Sequence, residues 1–530
     1  VSNSGSKSKM SSSVSELPEI KQIPVWLVAL AIMVPTSFAM LATSATNVAL
    51  PHIAGSFGST HEEVNWVITS YMIANAILLP LTGWFENIMG RKNFLKIFIM
   101  IFICGSIICL MAQNLNMLIL GRVIQGIGGG PMMPISQSIL LQAFPSEQKG
   151  RAMAVFAFAV MTTSILGPTV GGFLVDNLSW QWIFIINLPA GIVSLMLVER
   201  AIKQERTRRV SKRVDIVGLS FLVLWLLNMQ IVLDKGQQYD WFGTPWICVL
   251  TFISVFSMIF FFVWELEYEH AIVNLRVFKD KNFVIGTILG SFINMIIYVT
   301  IVQLPAYLQS IMGYTATLSG LSLAPRAISC IVMLFIVGEL VNYVDNRLLI
   351  SIGFAILGIA TFMYAGISVS TSFSYIVFPN VLLGVGVILT FIPISALTLG
   401  TLPKSEMSNG AGLHSLSKCV ATAFITSLSS TFVARLSQLH QTYLVDNMSH
   451  FNPIFLHRLE AMTSSLMTNF SSVVAAKKAN VMLYNQLLEQ SKVYAFVDVF
   501  QLFALIAFLL TPLAFFLKIK KEKKEKQVQS

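Results

Sequence analysis

The segment Asn116–Leu141, "NMLILGRVIQGIGGGPMMPISQSILL", contains one charged side chain, Arg122, in an otherwise apolar run. A helix needs about 20 predominantly apolar residues to cross the hydrocarbon core of a bilayer. Similar runs recur along the chain, which is 55% hydrophobic and 11% charged, whereas a soluble domain is about 25% charged. The sequence therefore predicts an all-α polytopic membrane protein and excludes a soluble globular domain.

Fourteen membrane spans are predicted from the apolar runs. They lie at about 24–48, 64–86, 94–113, 117–142, 151–175, 181–199, 214–233, 245–265, 283–306, 316–338, 348–368, 375–399, 410–436 and 493–516. Lys and Arg concentrate in the links after even-numbered spans and in the C-terminal tail. Because basic loops stay in the cytoplasm, both termini are predicted to be cytoplasmic. This topology explains the net charge of +10 without nucleic acid.

Other features limit the possible functions. The N-terminal tail, 1–23, is polar and is not expected to be a cleavable signal peptide. The five cysteines all lie in apolar runs, so we expect buried thiols and neither a metal site nor disulfides. No P-loop or nucleophile motif is present. We therefore expect no enzymatic activity, no cofactor and no use of ATP.

The turn 81–95, "LTGWFENIMGRKNFL", joins the second and third predicted spans. Gly83 lets a helix end approach its neighbour closely, and Gly90 permits a tight turn. Arg91 and Lys92 fix the turn at the cytoplasmic face. We predict that these residues hold a cytoplasmic gate and do not touch substrate.

This turn resembles the signature between helices 2 and 3 of the major facilitator superfamily. Asn87 stands where the family has aspartate, and we expect the neighbouring Glu86 to take over the role of that acid. A fainter copy of the pattern at 338–347, "GELVNYVDNR", indicates two related halves, as transporters often have.

The fifth span contains "SILGPTVGGFL", 164–174, in which Gly167, Pro168, Gly171 and Gly172 would kink the helix and admit a close neighbour. This string is similar to the antiporter motif of drug-export members of the superfamily. The stretch 121–132, "GRVIQGIGGGPM", resembles the family's RxxQG motif. Together with fourteen helices, these motifs make the chain resemble the EmrB/QacA-type drug:proton antiporters, closest to the EmrB branch, over about 24–516.

The resemblance implies a major facilitator fold of two six-helix bundles plus two inserted helices. The expected divisions are a cytoplasmic tail at 1–23, an N-terminal bundle at 24–199, a basic linker and inserted pair at 200–282, a C-terminal bundle at 283–516 and a basic tail at 517–530. The resemblance also implies the bacterial inner membrane. An EmrA-like periplasmic adaptor and a TolC-like outer-membrane channel are the implied partners.

The segment 437–491, between the last two predicted spans, is long and has apolar residues at helical spacing. We expect one or two amphipathic helices on the periplasmic side. Two interpretations stay open at this stage: a cap lying on the membrane surface, or a docking surface for the adaptor.

The first span departs from the family pattern, because Ala42 in "LATSATNVALP", 41–51, stands where the family has an aspartate. That acid is a usual candidate for proton coupling. Three cations, Arg122, Arg326 and Lys418, lie inside spans that line the central cavity by resemblance, and no acids balance them. A purely structural role is the alternative for two of these cations. Arg122 could bond to Gln125 or to backbone carbonyls, and Lys418 could extend its ammonium group towards the membrane surface.

The full set of predicted cavity residues combines these cations with polar and aromatic neighbours. It comprises Asn47, Arg122, Gln125, Asn294, Tyr298, Gln303, Tyr307, Arg326, His414 and Lys418. Such a cavity favours an anionic or neutral amphiphile over a lipophilic cation. His414, Lys418, Asp498 and Glu339 are the candidates for proton coupling, since arginine keeps its proton.

The predicted function is proton-driven export of hydrophobic compounds by alternating access between the two bundles. One alternative is a dedicated exporter of a single metabolite such as a siderophore or a fatty acid. An alternative of another class is a membrane sensor or scaffold that transports nothing. A substrate-flux assay in vesicles separates the last from the first two.

Overall fold

A computed structural model describes residues 25–144, 148–202, 215–268, 273–314, 316–341, 343–369, 371–403, 405–449 and 451–517. The tails and the basic link at 203–214, on which part of the predicted topology rests, lie outside the described residues. The helices of the first part are α1 (Val25–Phe57), α2 (His61–Val64), α3 (Trp66–Leu78), α4 (Thr82–Met89), α5 (Arg91–Leu110), α6 (Leu115–Gly129), α7 (Met132–Ala143), α8 (Lys149–Asn177), α9 (Trp182–Ile185) and α10 (Asn187–Ala201).

The remaining helices include an inserted pair and a second group. The inserted pair is α11 (Ile216–Lys235) and α12 (Pro245–Glu267). The second group is α13 (Lys281–Ser310), α14 (Ala316–Leu321), α15 (Ala324–Leu340), α16 (Asn346–Met363), α17 (Phe373–Gly400), α18 (Met407–Val445), α19 (Pro453–Leu466) and α20 (Ser472–Leu510). Short 3₁₀ segments occur at Trp241–Gly243, Leu275–Lys279, Tyr364–Gly366, Asp446–Met448 and Pro512–Phe516.

The apolar runs become membrane-length helices. Among the described residues, eleven helices are long and apolar enough to cross a bilayer. The pair α3–α4 adds a twelfth if it counts as one span, although it is bent by 60° at a break that contains Pro80. The other two predicted spans coincide with α6–α7 and α8. The all-α membrane fold is confirmed, and the count of fourteen stays a prediction.

Two groups of helices pack mainly among themselves. In the first group α1 packs on α8 and α10, and α6 packs on α3 and α5. In the second group α17 packs on α15 and α16, and α18 packs on α13 and α20. The groups meet where α8 contacts α15 and where α18 contacts α4 and α7. The inserted α11 contacts both groups, through α3 and α18. The division of the chain into two bundles and an inserted pair, with the boundaries given above, stays a prediction.

The buried apolar side chains form three clusters. One, the inner cluster, draws on both groups, from Ala29 on α1 and Phe94 on α5 to Val337 on α15 and Leu413 on α18. We call the end of the molecule that it occupies the inner end, and we predict that it faces the cytoplasm. A second cluster, around Phe184, contains only residues of the first group, and a third contains only residues of the second. The shared apolar core therefore joins the two groups at the inner end.

The segment predicted as a periplasmic loop, 437–491, has a different form. Helix α18 continues to Val445 and α20 begins at Ser472, so both spans extend without interruption into the segment. Helix α19 packs against α20. We call 437–491 the arm. The segment is helical, but much of the arm consists of the ends of the membrane helices themselves and is not a separate cap.

Candidate functional site

The turn 81–95 links the two groups through a chain of polar contacts. Glu86 and Arg91 form an ion pair with Nε and Oε1 2.6 Å apart, so Glu86 supplies the carboxylate that Asn87 lacks. Arg91 Nη2 also donates to Gln142 Oε1 over 2.5 Å. Gln142 Nε2 donates to the Ser138 hydroxyl over 3.0 Å. A hydrogen bond of 2.6 Å then joins Ser138 to Ser408 on α18.

Glycines bring the helices of the two groups into backbone contact at this end. A Cβ atom on Gly83 would lie 2.8 Å from the Cα atom of Asn409 on α18. One on Gly412 would lie 2.3 Å from the carbonyl oxygen of Leu79. Side chains at either position would push α4 and α18 apart. Gly90, with φ of 74°, adopts a left-handed conformation that glycine allows.

Lys92 has a different role from Arg91. Its Nζ atom lies 2.6 Å from Glu199 Oε1 on α10, and Lys96 lies 2.6 Å from the other oxygen of the same carboxylate. Lys92 therefore joins α5 to α10 within the first group. Arg91 instead belongs to the chain of hydrogen bonds that reaches the second group.

Glu339, a predicted proton carrier, lies at the inner end and pairs with Arg151 across the two groups, with Oε1 and Nε 2.6 Å apart. Both side chains are about half exposed, so solvent screens the pair and it contributes little to stability. The contact between the two groups here depends more on the inner cluster and on Gly338, whose added Cβ would lie 3.0 Å from the Ala154 Cβ.

Arg122 is fully buried, at 0% exposure, inside the first group. Its Nε donates to the Val67 carbonyl over 3.0 Å and its Nη1 donates to Gln125 Oε1 over 2.5 Å. Its guanidinium also lies 4.3 Å above the ring of Tyr71. Gln125 donates in turn to Ser106 over 2.8 Å. Arg122 therefore makes the bonds to Gln125 and to a backbone carbonyl that the sequence indicated for a structural role. These bonds hold α3, α5 and α6 together.

Arg326 is held in the same way in the second group. Its Nε and Nη2 donate to Asn380 Oδ1 over 3.1 and 2.9 Å, and its Nη1 donates to the Thr300 hydroxyl over 3.0 Å. Both partners are neutral, and they lie on α17 and α13. Sequence reasoning missed Asn380 and Thr300, whose only signal is a polar side chain in an apolar run.

Lys418 and His414 lie one turn apart on α18. His414 is buried, with Nδ1 3.3 Å from the Thr287 hydroxyl on α13, and Gly290 leaves room for its ring. Lys418 is 7% exposed, and its Nζ lies 5.7 Å from the ring centroid of Phe391. In the described part of the chain, no carboxylate pairs with Lys418.

The other predicted cavity residues of the second group make contacts within that group, and their membership of one site with Lys418 stays a prediction. Asn294 donates to the Gly290 carbonyl over 2.9 Å, one turn from the His414 contact. Gln303 donates to Ser429 over 2.8 Å, and Tyr307 packs edge-on against Phe496. Their partners lie on α18 and α20 within the second group. The two remaining members are exposed: Asn47 and Tyr298.

Asp498 also has a partner that the sequence did not reveal. His440, on the extended part of α18, lies with Nε2 2.7 Å from Asp498 Oδ2. Since His440 fell in a predicted loop, nothing in the pattern placed it beside α20. The pair is partly exposed and lies at the base of the arm.

The glycine motif on α8 faces α1. A Cβ atom on Gly167 would lie 2.4 Å from the Ser44 Cβ, and one on Gly171 would lie 2.8 Å from the Ala45 Cα. The side chain of Pro168 lies outside the described residues. Ala42, at the family's aspartate position, is buried in the inner cluster. An acid there would have to be desolvated.

Replacement of Gly171 by alanine is expected to reduce transport at least about tenfold, because the new methyl group would collide with the backbone of α1. Gly172 is the matched control, since its added Cβ would lie 3.8 Å from the nearest atom, in Val48. Gly172→Ala should retain transport. Flux in proteoliposomes and the melting temperature measure both effects, and equal behaviour of the two variants would show that the α1–α8 contact is unimportant.

The fold and its glycine-mediated contacts are those of a membrane transporter with two helical groups. The chain belongs to the Major Facilitator Superfamily, whose family model matches residues 32–426. It is 34% identical to the multidrug export protein EmrB of Escherichia coli, over 83% of this chain and 85% of that protein. It is 31% identical to the fatty acid resistance protein FarB of Neisseria gonorrhoeae, over 85% of this chain and 88% of that protein.

A solved structure shows the same fold. The proton:xylose symporter XylE superposes with a TM-score of 0.57 at 14% identity, covering 92% of this chain and 96% of that chain. The superfamily membership and the fold class predicted from the sequence are confirmed.

Proposed function

We propose that this protein exports hydrophobic and amphiphilic compounds across the bacterial inner membrane by proton antiport. The observation that carries the proposal is Lys418, a buried cation without a carboxylate partner in the described residues, on a helix that packs across the two groups. Buried ionisable groups within a membrane are costly and mark substrate or proton pathways. The relatives named for multidrug export and fatty acid resistance support the same activity.

Alternating access requires a contact between the two groups that can open. The inner cluster, the Gly83–Asn409 contact and the Arg91–Gln142–Ser138–Ser408 chain form this contact at one end. The other two clusters contain residues of one group each. We assign the structure to a state that is closed to the cytoplasm, with Arg91 and Glu86 stabilising the closure.

The substrate preference follows from the partners of the three cations. Arg122 and Arg326 are buried and are bonded to neutral groups inside their own helix groups, so we assign the anionic ligand to neither. Lys418 is then the cation that selects for an anionic or neutral amphiphile. From the sequence, all three cations are expected to contribute to the preference for anionic or neutral amphiphiles, and we now attribute this preference to Lys418 alone.

Proton coupling needs a group that can lose its proton, which excludes the arginines. His414 and Lys418 are the candidates for carrying the proton next to the substrate. An anion bound at Lys418 favours the protonated form, so proton and substrate would cooperate there and not compete. The Asp498–His440 pair lies near the arm, and Asp498 and Glu339 stay the candidate carboxylates for completing the antiport cycle.

The arm is the proposed docking surface for an EmrA-like periplasmic adaptor, in a pump completed by a TolC-like channel. It carries exposed apolar side chains near its tip, including Phe451 and Ile454. Exposed apolar patches of this kind mark interaction sites.

A dedicated exporter of fatty acids is a second candidate. Lys418 would pair with a carboxylate, and one relative is named for fatty acid resistance. A narrow profile limited to long-chain acids would favour this candidate over multidrug export.

Resistance profiles in a host that lacks its own pumps test the proposed function. Cells expressing the protein should tolerate lipophilic weak acids and neutral compounds, with little protection against quaternary ammonium dyes. The Gly171→Ala variant, which is expected to transport poorly, serves as the control at matched expression. Equal sensitivity of cells with the parent protein and with this variant to every compound would refute export.

A further inference from the structure

A small pocket lies between the first helix group and the inserted pair, away from Lys418. It is at the end of the molecule opposite the inner end, which we call the outer end. Its volume is about 320 Å³, and it is lined by Glu63, Trp66, Ile231, Lys235, Tyr239 and Trp246. This is the lower end of the range for small-molecule sites. The pocket would therefore hold a headgroup-sized moiety more readily than a whole drug molecule.

The pocket contains two side chains of opposite charge that do not form an ion pair with each other, and Lys235 also interacts with the charge of the neighbouring Asp234. Glu63 Oε2 accepts bonds from the Thr60 backbone nitrogen and hydroxyl over 2.9 and 3.1 Å, which orients the carboxylate. Lys235 Nζ donates to the neutral Gln238 Oε1 over 3.2 Å. Within the described ranges, neither Glu63 nor Lys235 takes part in an ion pair. One ligand with both an ammonium group and an anionic group would satisfy both.

Aromatic rings make up much of the wall beside these charges. Tyr239 and Trp246 meet edge to face with their centroids 5.2 Å apart, and Trp66 is half-buried on the opposite helix. The faces of such rings attract ammonium groups. Tryptophan and tyrosine also concentrate where membrane helices meet lipid headgroups.

The loop that presents Tyr239 is held in a strained conformation. Asp240 and Trp241 have φ values of 53° and 48°, in the left-handed region that non-glycine residues rarely adopt. The backbone nitrogen of Trp241 donates to the Gly236 carbonyl over 2.7 Å, and the Thr244 hydroxyl donates to the Tyr239 carbonyl. Such strain persists only where the surroundings enforce it, and it clusters at functional sites.

We propose that this pocket binds the headgroup of a zwitterionic phospholipid, with a primary ammonium group near Glu63 and the rings and a phosphate near Lys235. The lipid would bridge α2–α3 and α11–α12 at the outer end. It would thereby fix the inserted pair against the first helix group, where Thr69 already donates to Asp234 over 3.3 Å. A zwitterionic transport substrate shares this chemistry and is distinguished by the experiment.

The test uses the purified full-length protein and two soluble short-chain lipids, dioctanoyl phosphatidylethanolamine and dioctanoyl phosphatidylglycerol. Native mass spectrometry measures their dissociation constants. The parent protein should prefer the ethanolamine lipid at least about threefold. Glu63→Gln, which keeps an acceptor for Thr60, should abolish this preference, whereas Lys235→Gln should weaken both lipids because both carry the phosphate. Lys478→Gln, on the arm, is the control and should change neither.

Equal binding of the two lipids by the parent protein would overturn the proposal, as would unchanged preference in Glu63→Gln. The same variants are then assayed for flux of a zwitterionic amphiphile. If that compound displaces the ethanolamine lipid and its transport falls with Glu63→Gln, the pocket is a substrate site and the lipid assignment is wrong. Unchanged flux together with lost lipid preference supports the lipid.

Discussion

Replacing residues 446–471 by a short glycine-serine turn should abolish resistance in whole cells and leave flux in reconstituted vesicles within about twofold of the parent protein. The replaced segment contains α19 and the tip of the arm, and it lies beyond the last residues of α18 and the first of α20. Loss of the tip would remove the surface proposed for the adaptor while leaving the membrane helices intact. Minimal inhibitory concentrations and vesicle flux give the two readouts.

The dimensions of the arm support this expectation. Helices α18 and α20 have 39 residues each, or about 58 Å at 1.5 Å per residue, whereas the hydrocarbon core is about 30 Å thick. A substantial part of each helix therefore projects beyond the bilayer. At the tip, the side chain of Phe451 is 96% exposed. Such exposure is unusual for a large apolar side chain.

A gentler variant separates docking from folding. Phe451→Ser with Ile454→Ser removes two exposed apolar side chains and should reproduce the loss of whole-cell resistance. Leu439→Ser, at an exposed position near the base of the arm, is the matched control and should retain resistance. Parallel loss of vesicle flux in the tip variants would instead assign the arm a structural role in transport.

Lys418→Met should weaken the binding of a lipophilic carboxylate about tenfold or more and change the binding of a neutral analogue little. The estimate reflects the loss of one hydrogen bond to a charged group, which contributes about 1.5–3 kcal/mol. Because Arg122 and Arg326 are buried and bonded to neutral partners, we expect neither to replace the lost charge. Equilibrium binding to the detergent-solubilised protein measures the effect.

Lys418→Arg keeps the positive charge and serves as the control, since it should preserve the preference for the carboxylate. Equal losses for the acid and the neutral compound in Lys418→Met would mean that Lys418 acts through packing alone. Tight binding of quaternary ammonium dyes to the parent protein would contradict selection by a cationic site.

The membrane helices were predictable because the requirement is local: each needs a run of apolar residues of bilayer length. The contact between Arg122 and Gln125 was also within reach, since residues three apart lie on one face of a helix. The motif at 81–95 indicated an inner gate, and the structure brings Arg91 and Glu86 together there.

Contacts between distant parts of the chain were not predictable. Arg326 and Asn380 are 54 positions apart, and no periodicity connects α15 with α17. Helices α18 and α20 were cut short in prediction because hydropathy reports the membrane, not the helix. The polar residues of 437–445 end an apolar run without ending the helical hydrogen bonds. His440 was therefore misplaced in a loop, and its pairing with Asp498 was missed.

The continuity of α18 has a mechanical consequence. One uninterrupted helix begins at Met407, contacts α4 and α7 at the inner end, carries Lys418 and reaches Val445 at the outer end. On a rod of about 58 Å, each degree of tilt displaces the far end by about 1 Å. A change in the tilt of α18 at the inner end would displace the tip of the arm. A partner bound at the tip would therefore move with each transport cycle.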